Sequence, residues 1–313
     1  MAPPHPPSDA FLLHALMTST VDSIYFKDRQ CRLLRVSRKM ALDLGFSDPA
    51  ELIGKTDDEL FGETFGEGTR LDDLRVMDSG RPIVGLIESR QLDTGQTNWT
   101  LTSKLPLRDE SGEVIGLVGI TREINEMRQA EAALQHLATH DPLTNLPNRF
   151  LMVDRLTQLL SRAKRYGSAF AVLFMDIDRF KEVNDSYGHE FGDRVLRAVA
   201  LRLTSAVRQN DTVARIGGDE FVIILETAQG AEAADTVAQH VHRALRRPLT
   251  LEHRRVRVTI STGISVYPQH GEDVDTLLRA ADSAMYRAKK EGGDRHLTGL
   301  LSVPGAEGVP EGE

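Results

Sequence analysis

The chain has 313 residues and a formal charge of −8. That length suffices for two domains, and the negative balance argues against a nucleic-acid binder that neutralises backbone phosphates. Its single cysteine, Cys31, excludes an internal disulfide framework and suits a reducing cytoplasm, the expected location. No apolar run approaches a membrane span; the longest clear candidate, Ala169 to Met175, is strand-sized. The Pro-rich start (Pro3, Pro4, Pro6, Pro7) has no basic region followed by an apolar stretch, so residues 1–8 read as a disordered lead-in rather than a secretory signal. Residues 299–313, with Pro304, Gly305, Gly308, Pro310 and Gly312, read as an unstructured tail.

Between them the first domain is expected over 9–122. Phe11, Leu12, Ala15 and Leu16 recur at helical spacing. Ser23 to Phe26 and Arg32 to Val36 read as strands around the turn Lys27–Gln30. Ser37 to Leu44 reads as helix, and Asp48 to Gly54 as a short helical turn closed by glycine. Three further strands are expected at Ile83–Leu92, Thr97–Pro106 and Val114–Thr121, joined by the turns Asp93–Gln96 and Arg108–Glu113. This order, with Ile24 to Asp28, Leu52 to Thr56 and Gly116 to Ile124, resembles a PAS sensor domain. The sequence does not name its ligand. His14 lies in the lead-in helix, no histidine falls on a cavity-facing segment that would suit a haem, and Cys31 sits beside a turn. Trp99 and Tyr25 are candidates for a cavity wall or simply for core.

From Glu123 to His140, Met127, Ala130, Leu134 and Leu137 alternate at three and four residues. This is the seam of a short coiled coil, or else an amphipathic helix packed on its own domain.

The third region, 141–298, carries the chemistry. Ala169 to Asp176 reads as the central strand and ends in Asp176-Ile177-Asp178. Period-two alternation is expected to put both carboxylates on one face. Helices are expected at Phe150–Tyr166, from Arg179, at Phe191–Val207, Ala231–Leu245 and Val274–Lys290. Val256 to Tyr267 reads as one long alternating strand. Between them Gly217-Gly218 sits between two β-rich runs as a hairpin turn, followed directly by Asp219 and Glu220. Carboxylates on two neighbouring strand tips suit divalent cations that also bind substrate phosphates.

The pentapeptide Gly217–Phe221 reads GGDEF. With Asp141 to Arg149, Asp176 to Lys181, Asn184-Asp185, Gly188-His189 and Gly192-Asp193 in order, the region resembles a diguanylate cyclase of the GGDEF family. The resemblance implies an α+β fold with a βαββαβ core like the polymerase palm and class III cyclases. It implies condensation of two GTP into cyclic di-GMP and two pyrophosphates, by a homodimer whose two half-sites face each other. It further implies two Mg²⁺ or Mn²⁺ ions per GTP site, held by Asp176, the Ile177 carbonyl and Asp219. Glu220 is assigned to metal or to assisting deprotonation, roles the sequence does not divide. Asn184 and Asp193 are expected to read guanine. Phe180, Lys181, His189, Gly217, Gly218 and Lys289 are expected around the rest of the substrate. For Asp178 the ordinary structural reading is a hydrogen-bonded acid beside the site. Arg208 and Asp211, with five residues between Asp211 and Gly217, match the family's RxxD product-inhibition motif; otherwise they are a helix end and a turn. One departure is Gly293, where the family usually has a second basic residue; Arg295 is a candidate substitute. The competing expectation is a catalytically silent cyclic di-GMP receptor, although such domains usually lose part of the pentapeptide.

Overall fold

The computed structural model describes residues 6–91, 95–226, 231–251 and 253–300, with backbone only at 63–65. Most of the expected lead-in, nearly all of the expected tail, and Leu92, Asp93 and Thr94 lie outside the described residues. The chain divides into two compact units after Ala132.

In the first unit α1 (Asp9–Ser19) is capped by the Ser8 hydroxyl, which accepts from the Phe11 amide. Strands β1 (Ser23–Asp28) and β2 (Leu33–Val36) follow. The Asp28 carboxylate accepts from the amides of Gln30 and Arg32 and closes their turn. Helix α2 (Arg38–Asp43) is capped by Ser37, and a 3₁₀ turn at Pro49–Leu52 carries a capping box of Asp48 and Glu51. Two helices then appear that periodicity does not announce, α3 (Asp57–Phe61) and α4 (Glu63–Ser79). Asp and Gly crowd α4 and blur its apolar stripe, and tertiary packing holds it through buried Asp73, Val76 and Met77. Strands β3 (Ile83–Gln91), β4 (Thr97–Arg108) and β5 (Val114–Glu123) complete an antiparallel sheet of order β2-β1-β5-β4-β3.

Charges are buried under this sheet. Lys27 Nζ lies 2.6 Å from both Asp57 and Asp73. Lys104 Nζ lies 2.7 Å from Asp73 and donates to the Thr69 carbonyl. Each ion thus has an opposite partner, without which burial would be prohibitive. Beside them is a cavity of about 310 Å³, whose wall includes Tyr25, Asp57, Thr102 and Lys104. Trp99 is not on that wall; its ring lies under the Arg128 guanidinium, 4.4 Å from the centroid. His14 is exposed on α1. Helix α5 (Asn125–Thr139) buries no side chain, and Met127, Leu134 and Leu137 are exposed.

In the second unit α6 (Arg149–Tyr166) is capped by Asn148. It is followed by β6 (Phe170–Ile177), α7 (Phe180–Tyr187), α8 (His189–Ala206), β7 (Thr212–Gly217), β8 (Glu220–Leu225) and α9 (Ala231–Leu245). The expected long strand from Val256 is instead two pieces. β9 (Leu249–Leu251) and β10 (Arg254–Val256) pair with each other as a small ribbon. β11 (Ile260–Tyr267) joins the main sheet, buried along its whole length rather than alternating. Its serines, threonine and glycine imitate a half-exposed pattern, yet helices cover both faces. α10 (Val274–Lys290) and β12 (Arg295–Thr298) end the unit, with sheet order β12-β11-β6-β8-β7. The core lies on both faces: α8 and α9 pack around Leu173, Val195 and Val241, while α6 and α10 pack around Val172, Leu156 and Leu277. Central strand β6 is thus covered on both faces, and Asp176 stands at its C-terminal tip.

Candidate active site

The tip of β6 meets the β7–β8 turn. Register places Asp176 directly opposite Glu220, so both carboxylates stand on one face of adjacent strands. The Ile177 amide donates to the Asp219 carbonyl at 3.2 Å, fixing the turn against the strand end. The turn has its own brace. Arg215 donates to the Gly218 carbonyl from Nε (2.9 Å) and Nη2 (2.7 Å), while Nη1 pairs with both Asp141 oxygens at 2.9 and 3.0 Å. Asp141 also accepts from the amide and hydroxyl of Thr144. These contacts and the Arg215 charge hold its pKa below the usual range despite burial. In the sequence Asp141 stands only as part of a signature, and Arg215, a lone arginine two residues before a glycine pair, gives no signal of its partner 74 residues away.

Asp176 is buried. Its Oδ2 lies 2.6 Å from Lys289 Nζ, and its Oδ1 is buried with no hydrogen-bond partner. Burial pushes its pKa up to about 6; Lys289 opposes the rise, while Asp219 and Glu220 add to it. Glu220 is also raised, by burial first and then by Asp282 on α10 and by Asp219. Excess negative charge is thus held at one place, with Lys289 as its close cation. Among the described residues no three His, Cys, Asp or Glu side chains converge as a finished metal cage. The oxygen-only donor set and the orphaned Oδ1 nonetheless fit a hard cation whose remaining ligands come from phosphate and water.

Lys289 reaches Asp176 because α10 lies close on β11. A Cβ at Gly263 would come within 1.9 Å of the Ala281 carbonyl oxygen, so only glycine permits that approach.

Asp178 does not join this face. β6 ends at Ile177, the Asp178 amide donates to the Thr259 carbonyl, and alternation stops there. Its carboxylate accepts from Thr259 (2.7 Å), Ser261 (2.6 Å) and the Asp294 amide (2.9 Å). It is the hydrogen-bonded structural acid of the alternative reading. The same turn accounts for Gly293: its φ is +71°, and a Cβ would lie 3.0 Å from the Asp178 carboxylate. A basic side chain has no comfortable place there. Arg295 is engaged by Glu291 (3.1 Å) and the Gly293 carbonyl (3.3 Å).

Of the remaining candidates, Asn184 lies on α7 with its Oδ1 where a Cβ on Gly192 would stand, 1.9 Å away, and Asp193 follows Gly192 on α8. Phe180 opens α7 and packs partly into the core, whereas Lys181 and His189 are exposed. Gly217 and Gly218 are exposed at the hairpin tip. Arg208 is exposed beyond α8, and both Asp211 oxygens accept backbone amides, from Arg208 at 3.0 Å and Glu226 at 3.3 Å.

Fold and site together define an α+β domain that presents paired carboxylates and a glycine turn at one end of its sheet, preceded in the chain by a domain built on a five-stranded antiparallel sheet. The sequence matches the family described as "Diguanylate cyclase, GGDEF domain" over residues 138–295 and "PAS fold" over 17–129. The chain belongs to the GGDEF diguanylate cyclase family, with a PAS domain ahead of the GGDEF domain. It is similar to the bifunctional diguanylate cyclase/cyclic di-GMP phosphodiesterase MucR of Pseudomonas aeruginosa, 46% identical over 166 residues, which are 53% of this chain and 24% of that one. It is 41% identical to the diguanylate cyclase TpbB of the same species over 177 residues, 56% of this chain and 40% of TpbB. The chain thus spans less than half the length of these relatives. The crystal structure of the coiled coil and GGDEF domain of DgcB from Caulobacter crescentus, in complex with c-di-GMP, superposes with a TM-score of 0.51 at 28% identity, covering 56% of this chain and 93% of that one. No helix among the described residues is long and apolar enough to cross a membrane.

Proposed function

We propose that this protein is a diguanylate cyclase that condenses two GTP into cyclic di-GMP and two pyrophosphates. The observation that carries the reading is the intact Gly217–Phe221 turn held against Asp176, with Glu220 opposite and one Asp176 oxygen left without a partner. Asp176, the Ile177 carbonyl and Asp219 would hold divalent cations, Mg²⁺ or Mn²⁺, with Glu220 either beside them or receiving the proton. Bound there, such cations lower the pKa of the attacking 3′-hydroxyl and neutralise charge on the leaving pyrophosphate. Asn184 and Asp193 would read the guanine edge, and the exposed turn at Gly217 and Gly218 would let phosphates approach backbone amides. Phe180, Lys181 and His189 would line the remaining substrate, and Lys289 would serve the triphosphate as a point charge.

One GGDEF domain offers half of a two-GTP site, so the active species is a homodimer in this reading. The exposed Met127, Leu134 and Leu137 on α5 supply a seam for a parallel coiled coil. This divides the chain into PAS sensor (9–122), connector (123–140) and catalytic domain (141–298), with the PAS domain setting activity through the connector and cyclic di-GMP inhibiting through Arg208 and Asp211.

The test is incubation of purified protein with GTP and Mg²⁺ and identification of products by mass. Cyclic di-GMP and pyrophosphate in a 1:2 ratio are expected. Tight binding of cyclic di-GMP without any synthesis would replace this reading with the silent receptor.

A further inference from the structure

The Lys289–Asp176 contact is in the wrong place for a residue whose only task is a phosphate. Lys289 is on the last turn of α10, and its Nζ lies 2.6 Å from Asp176 Oδ2, an oxygen of the carboxylate assigned above to metal. Around it Asp219, Glu220 and Asp282 add negative charge, which Arg149 offsets only weakly at Glu220. α10 lies close on β11 at Gly263, and the ammonium sits at the end of a flexible lysine stem.

We propose that Lys289 is the counter-cation of the metal-free site: cation and ammonium compete for Asp176, and the nucleotide's phosphates release the competition by drawing Lys289 away. The inference rests on the metal assignment made above. An ammonium on Oδ2 satisfies one carboxylate oxygen and leaves Oδ1 orphaned, so the paired carboxylate is charge-compensated but not fully bonded. A divalent cation arriving alone meets a carboxylate already paired and a positive charge beside it. A triphosphate offers the ammonium a stronger anionic partner a side-chain swing away. Metal and nucleotide therefore assist each other's binding, and by linkage the assistance is reciprocal. The consequence is a site that does not load metal idly and assembles when both arrive.

The experiment is Mn²⁺ titration of the full chain followed by electron paramagnetic resonance, with and without a GTP analogue carrying a non-cleavable α–β bridge. Wild type is compared with Lys289→Met. Lys290→Met is the control, since that ammonium lies over the Tyr286 ring, 4.6 Å from its centroid, rather than on Asp176. Without nucleotide, Lys289→Met is expected to bind Mn²⁺ about tenfold tighter than wild type, and the analogue's enhancement of Mn²⁺ affinity is expected to shrink by a similar factor. Added Mn²⁺ should also raise the melting temperature of Lys289→Met more than that of wild type, which a misfolded variant could not show. Equal or weaker Mn²⁺ binding by Lys289→Met, with wild type binding normally, overturns this inference and leaves the metal assignment standing. Absence of Mn²⁺ binding by all three proteins, analogue included, overturns both.

Discussion

Arg215→Met should uncouple the Gly217-Gly218 turn from the start of its own domain. The arginine makes two bonds to Asp141 and two to the Gly218 carbonyl, with side chains only 12% and 17% exposed for Arg215 and Asp141. Methionine keeps much of the stem's packing and removes every donor. Asp141 retains its Thr144 contacts but is left as a half-buried charge without a cation. A broken pair of this kind costs about 3 kcal/mol, the low end for buried pairs because some water reaches it. For a domain of this size each kcal/mol moves Tm by ~2–4 °C, so Tm of the second unit should fall by roughly 6–12 °C. Activity should fall further than stability explains. Gly218 precedes Asp219, and an ångström of freedom at that turn is worth about a hundredfold in rate. Arg215→Lys should recover part of the stability but little of the rate, since one ammonium cannot bridge Asp141 and Gly218 with a fixed fork. The assay pairs calorimetric unfolding with initial cyclic di-GMP synthesis well below the melting range. A variant with Tm within ~2 °C of wild type and unchanged turnover would falsify the brace.

Gly192→Ala places a methyl group where Asn184 Oδ1 now lies, 1.9 Å from it; KM for GTP should rise about tenfold or more with a smaller change in kcat, and an unchanged KM would remove Asn184 from guanine recognition. The pKa of Asp176 is raised from its ordinary value to about 6, so the folded state holds this proton more tightly than the unfolded chain. Its contribution to metal-free stability is therefore greatest below the ordinary Asp value and is lost as pH rises through about 6, while cation affinity should weaken as pH falls through the same value. Asp176→Asn should flatten both profiles and abolish turnover, and a Mn²⁺ affinity independent of pH across the range around that pKa in wild type speaks against the assignment. Inserting residues one at a time between Gln129 and Ala130 rotates the downstream chain by about 100° per residue, so activity should vary with a period near seven residues, the coiled-coil repeat; a flat series with dimers retained by sedimentation leaves the PAS domain as a tether only. Arg208→Ala should keep initial turnover and lose inhibition by added cyclic di-GMP, and a wild-type enzyme insensitive to product removes the motif's role.

The sequence by itself determined whatever depends on neighbours along the chain. Periodicity sufficed for α6, α9 and α10, whose apolar faces repeat cleanly, and the glycine turn with its two acids marked the end of the sheet where the candidate site lies. α4 was not legible, because its place is decided by buried charges and a few packed side chains rather than by a stripe. Nor was the burial of β11 on both faces, because polar residues whose hydroxyls find partners within the fold look from the sequence like a solvated face. Only the tertiary structure decided which charges meet. Asp176 and Asp178 look equivalent two residues apart, yet strand pairing sends one to Lys289 and Glu220, and the end of the strand sends the other to Thr259, Ser261 and Asp294. Arg215 finds Asp141, and Gly293 is shaped by Asp178, through the same long-range closure. Charge pairing depends on distances of a few ångströms between residues remote in sequence, and local propensity carries no record of those distances.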